Sequence, residues 1–190
     1  MTKTPRRGDA VWHLPFGTFF HTGFNRKERN SMKRLFCMLC ALMATFAVLA
    51  QQLPDVQVEN AEGRMISVRS LVGEKPLIIA YWSITCKPCI QELNAINDQI
   101  EEWREEADFD VLAVSVDDVR MKATAKAKAA SLGWDFICVF DENQDLKRGM
   151  NVSLTPQSFV VDKQGKVVYS HSGYTPGSEL ELLEQVLKLQ

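Results

Sequence analysis

Cysteine is scarce in this sequence, with five residues among 190. So few cysteines exclude a small secreted scaffold that depends on several disulfides for its stability. The cysteines lie in three places: two in an apolar stretch near the start of the chain (Cys37 and Cys40), two in a C-x-x-C motif (Cys86 and Cys89) and one alone (Cys138). In the part of the chain that we expect to fold, only the C-x-x-C motif offers a pair of thiols.

Positive charge is also scarce after the first 50 residues. Residues 1–50 hold 8 of the 22 Lys and Arg and 2 of the 24 Asp and Glu, which leaves 14 and 22 for residues 51–190, a net charge of −8. An acidic folded part argues against nucleic acid or an anionic membrane surface as a partner. Apolar residues make up 46% of the chain, which is enough for a hydrophobic core, so a disordered chain is excluded as well.

No apolar run reaches the length of a typical transmembrane helix. The longest covers residues 35–49, 15 residues, whereas a membrane-spanning helix needs about 18 to 20. Two basic residues precede this run and small residues lead to Ala50, a pattern that predicts a secretory signal peptide over residues 32–50 with cleavage near Ala50. Retention of residues 35–49 as a membrane anchor is the alternative. We therefore expect a periplasmic or otherwise extracytoplasmic protein, in an oxidising compartment.

Residues 1–31 precede this leader, although signal peptides normally begin at the N-terminus of a protein. Their aromatic and basic residues follow no clear period. We therefore interpret residues 1–31 as a non-native or disordered extension, and Met32 as the true start of the protein.

From residue 54 onward, strand patterns alternate with helix patterns. Residues 76–82 are apolar on both faces, which is typical of a central strand covered by helices on each side. Apolar residues at helical spacing then predict a long helix that begins at the C-x-x-C motif. Further runs predict a hairpin (56–58 with 65–68), two strands (109–116 and 136–140), a helix (119–132), a second hairpin (158–162 with 167–171) and a terminal helix. The sequence therefore predicts an α/β fold, a central mixed β-sheet flanked by helices with an N-terminal β-hairpin extension.

The C-x-x-C motif follows the central strand directly. Cysteine reacts with disulfides as a thiolate, and the free N–H groups and positive dipole end of a helix N-terminus favour that form at Cys86. Cys89 lies one turn deeper on the same face, where it can resolve a mixed disulfide. Pro88 suits the first turn of a helix, and the charge of Lys87 stabilises the thiolate. The motif predicts a redox-active disulfide, Cys86–Cys89, with no other cofactor.

Metal binding is the alternative use of these cysteines. A C-x-x-C motif supplies two of the four ligands of a structural zinc site. The other two would have to be Cys138 and His171, which alone remain in the folded part. A copper-delivery module would use Cys86, Cys89 and His171, because the second predicted hairpin returns His171 towards the same end of the sheet, and two thiolates with an imidazole suit copper. Cys138, between two apolar strand residues, is predicted to be a buried apolar side chain, with a third redox thiol as the alternative.

Two stretches resemble a known family: residues 80–93, AYWSITCKPCIQEL, and residues 154–162, LTPQSFVVD. Both are similar to the TlpA/ResA-like thioredoxin family. The resemblance implies a thioredoxin fold over residues 54–190. It also implies an exported reductase that breaks disulfides in extracytoplasmic partner proteins, with a membrane thiol transporter as electron donor. We expect the protein to be a monomer.

The resemblance also implies roles for residues outside the motif. Thr155-Pro156 matches the cis-proline of the family, whose loop faces the C-x-x-C motif and presents the backbone of Thr155 to an extended substrate. Glu92 matches an acidic residue that exchanges protons with the reacting thiols, and a solvated first-turn acid is the alternative. Trp82 is expected to line the core or a pocket, and it joins Thr155 and Pro156 as a candidate for substrate binding.

Two positions depart from the common thioredoxin pattern. Thr85 stands where most thioredoxin-like sites have Trp, which removes the usual aromatic contact with substrate. Ala80 stands where cytoplasmic thioredoxin has a buried Asp, so Glu92 becomes the candidate for proton transfer. A peroxidase shares the fold and is a third candidate, but no separate peroxidatic Thr/Cys pattern accompanies the C-x-x-C motif.

Overall fold

The structure, a computed structural model, describes residues 51–190. The predicted extension (residues 1–31), the predicted signal peptide (residues 32–50) and the two cysteines within it lie outside the described residues. Within residues 51–190, no helix combines the length and the apolar character needed to cross a membrane.

One mixed sheet of seven strands forms the centre of this part of the chain. In chain order the strands are β1 (Gln57–Asn60), β2 (Met65–Ser67), β3 (Leu77–Trp82), β4 (Asp110–Ser115), β5 (Ile137–Phe140), β6 (Gln157–Val161) and β7 (Val167–Ser172). Their order across the sheet is β2-β1-β5-β4-β3-β6-β7. The central strand β3 is parallel to β4 and antiparallel to β6, which confirms the predicted mixed sheet.

Helices cover both faces of this sheet. They are α1 (Lys87–Glu106), α2 (Lys122–Leu132), α3 (Asp145–Gly149), α4 (Leu180–Leu187) and a 3-10 helix (Val68–Leu71). On one face, Ile78 of β3 packs in an apolar cluster with Leu182 of α4, and Ala80 packs in another with Ala125 of α2, while α1 contributes to both. On the opposite face, Ile79 packs with α3 and the 3-10 helix. Because successive strand side chains point to opposite faces, all six residues of β3 are buried.

Local hydrogen bonds explain where the helices differ from the prediction. Helix α2 begins at Lys122 rather than at Val119, because the carboxylate of Asp118 accepts two backbone N–H bonds and holds the intervening residues in a turn. The sequence predicts no helix at α3, since five residues are too short to show a helical period. The carboxylate of Asp141 fixes α3 by accepting two N–H bonds at its start, at 3.2 Å and 2.8 Å.

The N-terminal hairpin of β1 and β2 belongs to the same sheet. Strand β1 pairs antiparallel with β5, so that Glu59 lies opposite Phe140. The carboxylate of Glu59 accepts hydrogen bonds from Lys122 at 2.6 Å and Lys126 at 2.5 Å, both on α2. These partly buried ion pairs tie the hairpin to α2, and the predicted hairpin extension is confirmed.

Candidate active site

The C-x-x-C motif lies where the central strand gives way to helix α1. Cys86 and Cys89 form a disulfide, and their Cα atoms are 5.3 Å apart. Cys86 precedes the first helical residue and is half-buried, whereas Cys89 in the first turn is 1% exposed. Cys86 is therefore the more accessible of the two cysteines.

The N-terminus of α1 favours negative charge on the Cys86 sulfur. The backbone N–H of Cys89 donates to Cys86 Sγ over 3.3 Å. Lys87 is the first helical residue and is exposed, and Pro88 occupies the first turn. Unpaired N–H groups and the positive end of the helix dipole stabilise a thiolate over a thiol. The same geometry will therefore stabilise a Cys86 thiolate once the disulfide is reduced.

The loop between β3 and α1 is held by the neighbouring strand. Asp117, just after β4, accepts a bond from the backbone N–H of Ile84 at 3.0 Å and one from the hydroxyl of Ser115 at 2.9 Å. Thr85, in the same loop, is exposed. This role of Asp117 was not predicted from the sequence. Two polar residues, Ser115 and Asp117, lie at the end of a buried strand that is parallel to β3, and polar side chains at the ends of neighbouring parallel strands commonly meet. This pattern could have indicated the role of Asp117.

The segment before β6 lies at the same end of the sheet as the disulfide. Gln157 of β6 lies opposite Tyr81 of β3, so Pro156 is level with the end of β3 from which the cysteine loop leaves. The Thr155–Pro156 peptide bond is cis. Pro156 is buried and Thr155 is half-buried. The structure therefore brings these two residues to the edge of the sheet that carries Cys86.

Glu92 is a buried carboxylate on the face of α1 that packs against the sheet. Its side chain is 2% exposed, and its Oε1 accepts a hydrogen bond from Ser158 Oγ of β6 at 2.8 Å. Burial raises the pKa of Glu92 to about 7, the Ser158 bond opposes that rise, and the nearby charge of Glu179 adds to it. The alternative of a solvated first-turn acid is therefore wrong, and Glu92 exchanges its proton near neutral pH.

Replacing Glu92 by glutamine is expected to make stability less dependent on pH. Because the folded-state pKa is about 7 and the ordinary value 4.5, the folded protein binds more protons between those values, and its free energy of unfolding falls as pH rises through them. The full difference corresponds to about 3 kcal/mol. Glutamine removes this loss and keeps an acceptor for Ser158. Urea unfolding at pH 5 and pH 8 measures the effect.

The matched control for this prediction is Glu184→Gln. Glu184 is an exposed acid on α4 that pairs with Lys188. Its variant should keep the pH dependence of the wild type, because exposed ion pairs contribute little to stability. A Glu92→Gln protein that lost stability with pH as steeply as the wild type would contradict a neutral, buried Glu92.

Trp82 does not contact substrate, which corrects the prediction from the sequence. Its side chain is 0% exposed. It packs in one apolar cluster with Leu93 and meets the ring of Trp134 edge to face, with ring centroids 5.0 Å apart. The last residue of β3 points towards the helices rather than to the site edge, so Trp82 is a core residue.

His171 does not join the two cysteines, which corrects the predicted copper site of Cys86, Cys89 and His171. Its Nδ1 lies 3.6 Å from the carboxylate of Glu181 on α4, and its ring stacks on that of Tyr169. Among the described residues, no group of three or more His, Cys, Asp and Glu side chains is placed to hold a metal ion. The disulfide also removes Cys86 and Cys89 as thiolate ligands in this state.

Cys138 is a free thiol that takes no part in the disulfide. It is half-buried rather than fully buried, and it borders the apolar cluster that contains Cys89. Burial raises the pKa of the Cys138 thiol to about 11. Because the thiolate is the reactive form, this side chain is a poor candidate for a third redox thiol.

Comparison with known proteins supports the same assignment of the fold. The AhpC/TSA family pattern matches residues 49–170. The thiol-disulfide oxidoreductase ResA of Bacillus thuringiensis (strain Al Hakam) is 27% identical over 133 residues, 70% of this chain and 75% of ResA.

Two solved structures extend this comparison. An uncharacterized thioredoxin-like protein from Porphyromonas gingivalis is 41% identical, with a TM-score of 0.65 over 74% of this chain and 92% of that one. A putative thiol:disulfide interchange protein DsbE from Chlorobium tepidum is 25% identical, with a TM-score of 0.64 over 74% and 96%. The predicted thioredoxin fold is therefore confirmed.

Proposed function

This chain belongs to the AhpC/TSA family, and we propose that it is an exported thiol-disulfide oxidoreductase that reduces disulfides of extracytoplasmic partner proteins. The similarity to ResA and to the DsbE-like structure supports this class of enzyme. The observation that carries the proposal is the asymmetry of the cysteine pair. A partner can reach the sulfur of Cys86 at the start of a helix, whereas that of Cys89 is shielded.

The reaction begins at Cys86 in the reduced protein. Its thiolate attacks one sulfur of the partner's disulfide, a bond forms between Cys86 and that sulfur, and the partner's own S–S bond breaks. The released partner sulfur leaves as a thiolate and takes a proton from water. The N–H groups at the start of α1 and the charge of Lys87 favour the attacking thiolate.

Cys89 completes the reaction. Its thiol gives a proton to Glu92, and its sulfur attacks Cys86, so the Cys86–Cys89 bond forms as the bond to the partner breaks. Two electrons have then passed from the dithiol to the partner. Glu92 suits this role because it lies one turn beyond Cys89 on α1, is shielded from water and has a pKa of about 7. A proton carrier works best when its pKa lies near the working pH.

The partner segment binds along the edge formed by the cysteine loop and the segment before β6. Thr155 and Pro156 stand level with the end of β3, and Thr85 is exposed beside Cys86. The backbone of Thr155 can pair with an extended segment that carries the target disulfide. Thr85 leaves more room there than a tryptophan would.

The sequence supports export, and the reaction requires a source of electrons. A signal peptide over residues 32–50, cleaved near Ala50, would deliver a monomeric protein to an oxidising compartment. Each reaction leaves the Cys86–Cys89 disulfide, so two electrons must be returned before the next. A membrane thiol transporter supplies them.

A Cys89→Ser variant tests the proposal. The second step cannot occur without the Cys89 sulfur, so the Cys86–partner disulfide should accumulate and appear as a reducible adduct on non-reducing gels. A protein with both cysteines replaced by serine is the matched control and should form none. Absence of adducts, together with no reduction of a model disulfide by the wild type, would overturn the function.

The reduction potential of the pair decides the direction of electron flow. A value near that of thioredoxin, about −270 mV, favours a reductase, whereas one near −120 mV favours an oxidase. Equilibration of Cys86 and Cys89 with a glutathione buffer measures it. We expect the first value, and the second would overturn the proposed direction.

A further inference from the structure

A second buried carboxylate lies at the same end of the sheet as Glu92. Glu179 immediately precedes helix α4 and is 6% exposed, compared with 2% for Glu92. In the sequence Glu179 is inconspicuous, because an acid just before a helix is ordinarily a solvated residue that suits the helix dipole. Its burial therefore needs another explanation.

The topology of the sheet brings the two carboxylates to one end. Strand β6 is antiparallel to both β3 and β7, so β3 and β7 run in the same direction. Helix α1 follows β3 and α4 follows β7, so both helices begin at the end that carries the disulfide. Ile96, one turn after Glu92, and Leu182, one turn after Glu179, belong to one apolar cluster. Both carboxylates therefore lie one turn before this shared cluster, at the end of the sheet that carries the disulfide.

Each carboxylate accepts a hydrogen bond of its own. Ser158 Oγ of β6 donates to Glu92 at 2.8 Å, and the backbone N–H of Gly177 donates to Glu179 Oε2 at 2.9 Å. Tyr174 lies in the same loop as Gly177. Burial raises the pKa of its hydroxyl, and the charges of Glu179 and Glu92 raise that pKa further, so Tyr174 lies within range of both acids. Two acidic groups thus share a site from which water is largely shielded.

Few other charges act on this pair. On β7, His171 lies opposite Ser158 but faces Glu181 on the exposed side of α4. On β3, the residue opposite Ser158 is Ala80, which carries no charge. Within residues 51–190, neither Glu92 nor Glu179 forms an ion pair with a cation. The like charge of Glu179 is therefore the charged neighbour that raises the pKa of Glu92.

We infer that Glu179 is a positioning residue of the Cys86–Cys89 site, whose negative charge adds to the effect of burial in favouring the protonated form of Glu92. The inference rests on the proposed function. When a donor dithiol reduces the protein, its thiolate bonds to Cys86, the Cys86–Cys89 bond breaks, and Cys89 leaves as a thiolate that takes the proton from Glu92. Glu179 makes that proton available in a shielded site.

The test is a titration of Glu92 by NMR in the oxidised full chain with labelled glutamate carboxyl carbons. In Glu179→Gln the Glu92 midpoint should fall by roughly one pH unit, because a like charge is removed while an acceptor for Gly177 remains. Ser158→Ala should move it in the opposite direction, because a bond to the charged form is lost. Glu184→Gln removes an exposed charge from the same helix and should leave it unchanged.

The pH profile for reduction of the disulfide by dithiothreitol should shift with the Glu92 midpoint, which a merely structural Glu179 would not cause. If Glu179→Gln unfolds, titration of the wild type still tests the inference. When two acids are coupled, the carboxyl signal of each responds at the midpoints of both. An unchanged Glu92 midpoint, or independent titration in the wild type, would overturn the inference and leave the Cys89→Ser trapping result standing. A shifted midpoint in a protein that traps no partner would support the coupling and overturn the proposed function.

Discussion

Replacing Cys86 by serine is expected to abolish disulfide reduction, with the rate falling by at least about 1,000-fold. Cys86 is the sulfur that a partner can reach, and the N-terminus of α1 stabilises its thiolate. A serine hydroxyl at that position is not ionised at neutral pH, and Cys89 is too shielded to replace it. The measurement is the second-order rate at which the fully reduced protein reduces a fluorescent model disulfide.

Cys138→Ser is the matched control for this loss. It removes one thiol, as Cys86→Ser does, but from a half-buried position where burial raises the pKa to about 11. Its rate should equal that of the wild type. A Cys86→Ser protein that kept a tenth of the wild-type rate would show that another thiol begins the reaction, and the assigned order of the cysteines would be wrong.

Replacing Trp82 by alanine is expected to lower the free energy of unfolding by about 3–5 kcal/mol. The side chain is fully buried at the end of β3, packs with Leu93 of α1 and meets Trp134 edge to face. Alanine would leave a large cavity between the sheet and two helices, because the surrounding backbone can only partly close it. Urea unfolding followed by circular dichroism measures the loss.

Val119→Ala is the control for an apolar truncation at the surface. Val119 is 66% exposed in the turn before α2, so its variant should stay within about 0.5 kcal/mol of the wild type. The competing interpretation, in which Trp82 contacts substrate, predicts weaker partner reduction with little loss of stability. That pair of results would contradict the core assignment.

The local features of the fold could be predicted from the sequence. The run at residues 76–82 predicts the buried strand that the structure has at Leu77–Trp82, because apolar residues on both faces fit a covered strand. The C-x-x-C motif likewise predicts its own place at the start of a helix, since a strand, a tight loop and a helical period follow one another in the chain. Each signal depends on residues close together in sequence.

The features that were missed or wrong depend on residues far apart in sequence. A strand buried on both faces gives no indication of which residue points to an open edge, so Trp82 was a plausible substrate contact. The second hairpin does bring His171 to the proper end of the sheet, but its Nδ1 faces Glu181 on the following helix. The inferred influence of Glu179 on Glu92 likewise requires two helices to begin at one end, which only the strand directions determine.

The position of β6 beside β3 determines when the site is completed as the chain is made. Strand β3 and α1 emerge early, but β6 is the second last strand and joins β3 after a long intervening stretch that contains β4, α2 and β5. Contacts between distant parts of a chain form late, because loop closure costs entropy before they can form. A nascent chain that ends before residue 154 therefore carries both cysteines without the proline segment, Ser158 or the second carboxylate. Until β6 and β7 are added, the two thiols therefore lack the part of the site that these residues form in the folded protein.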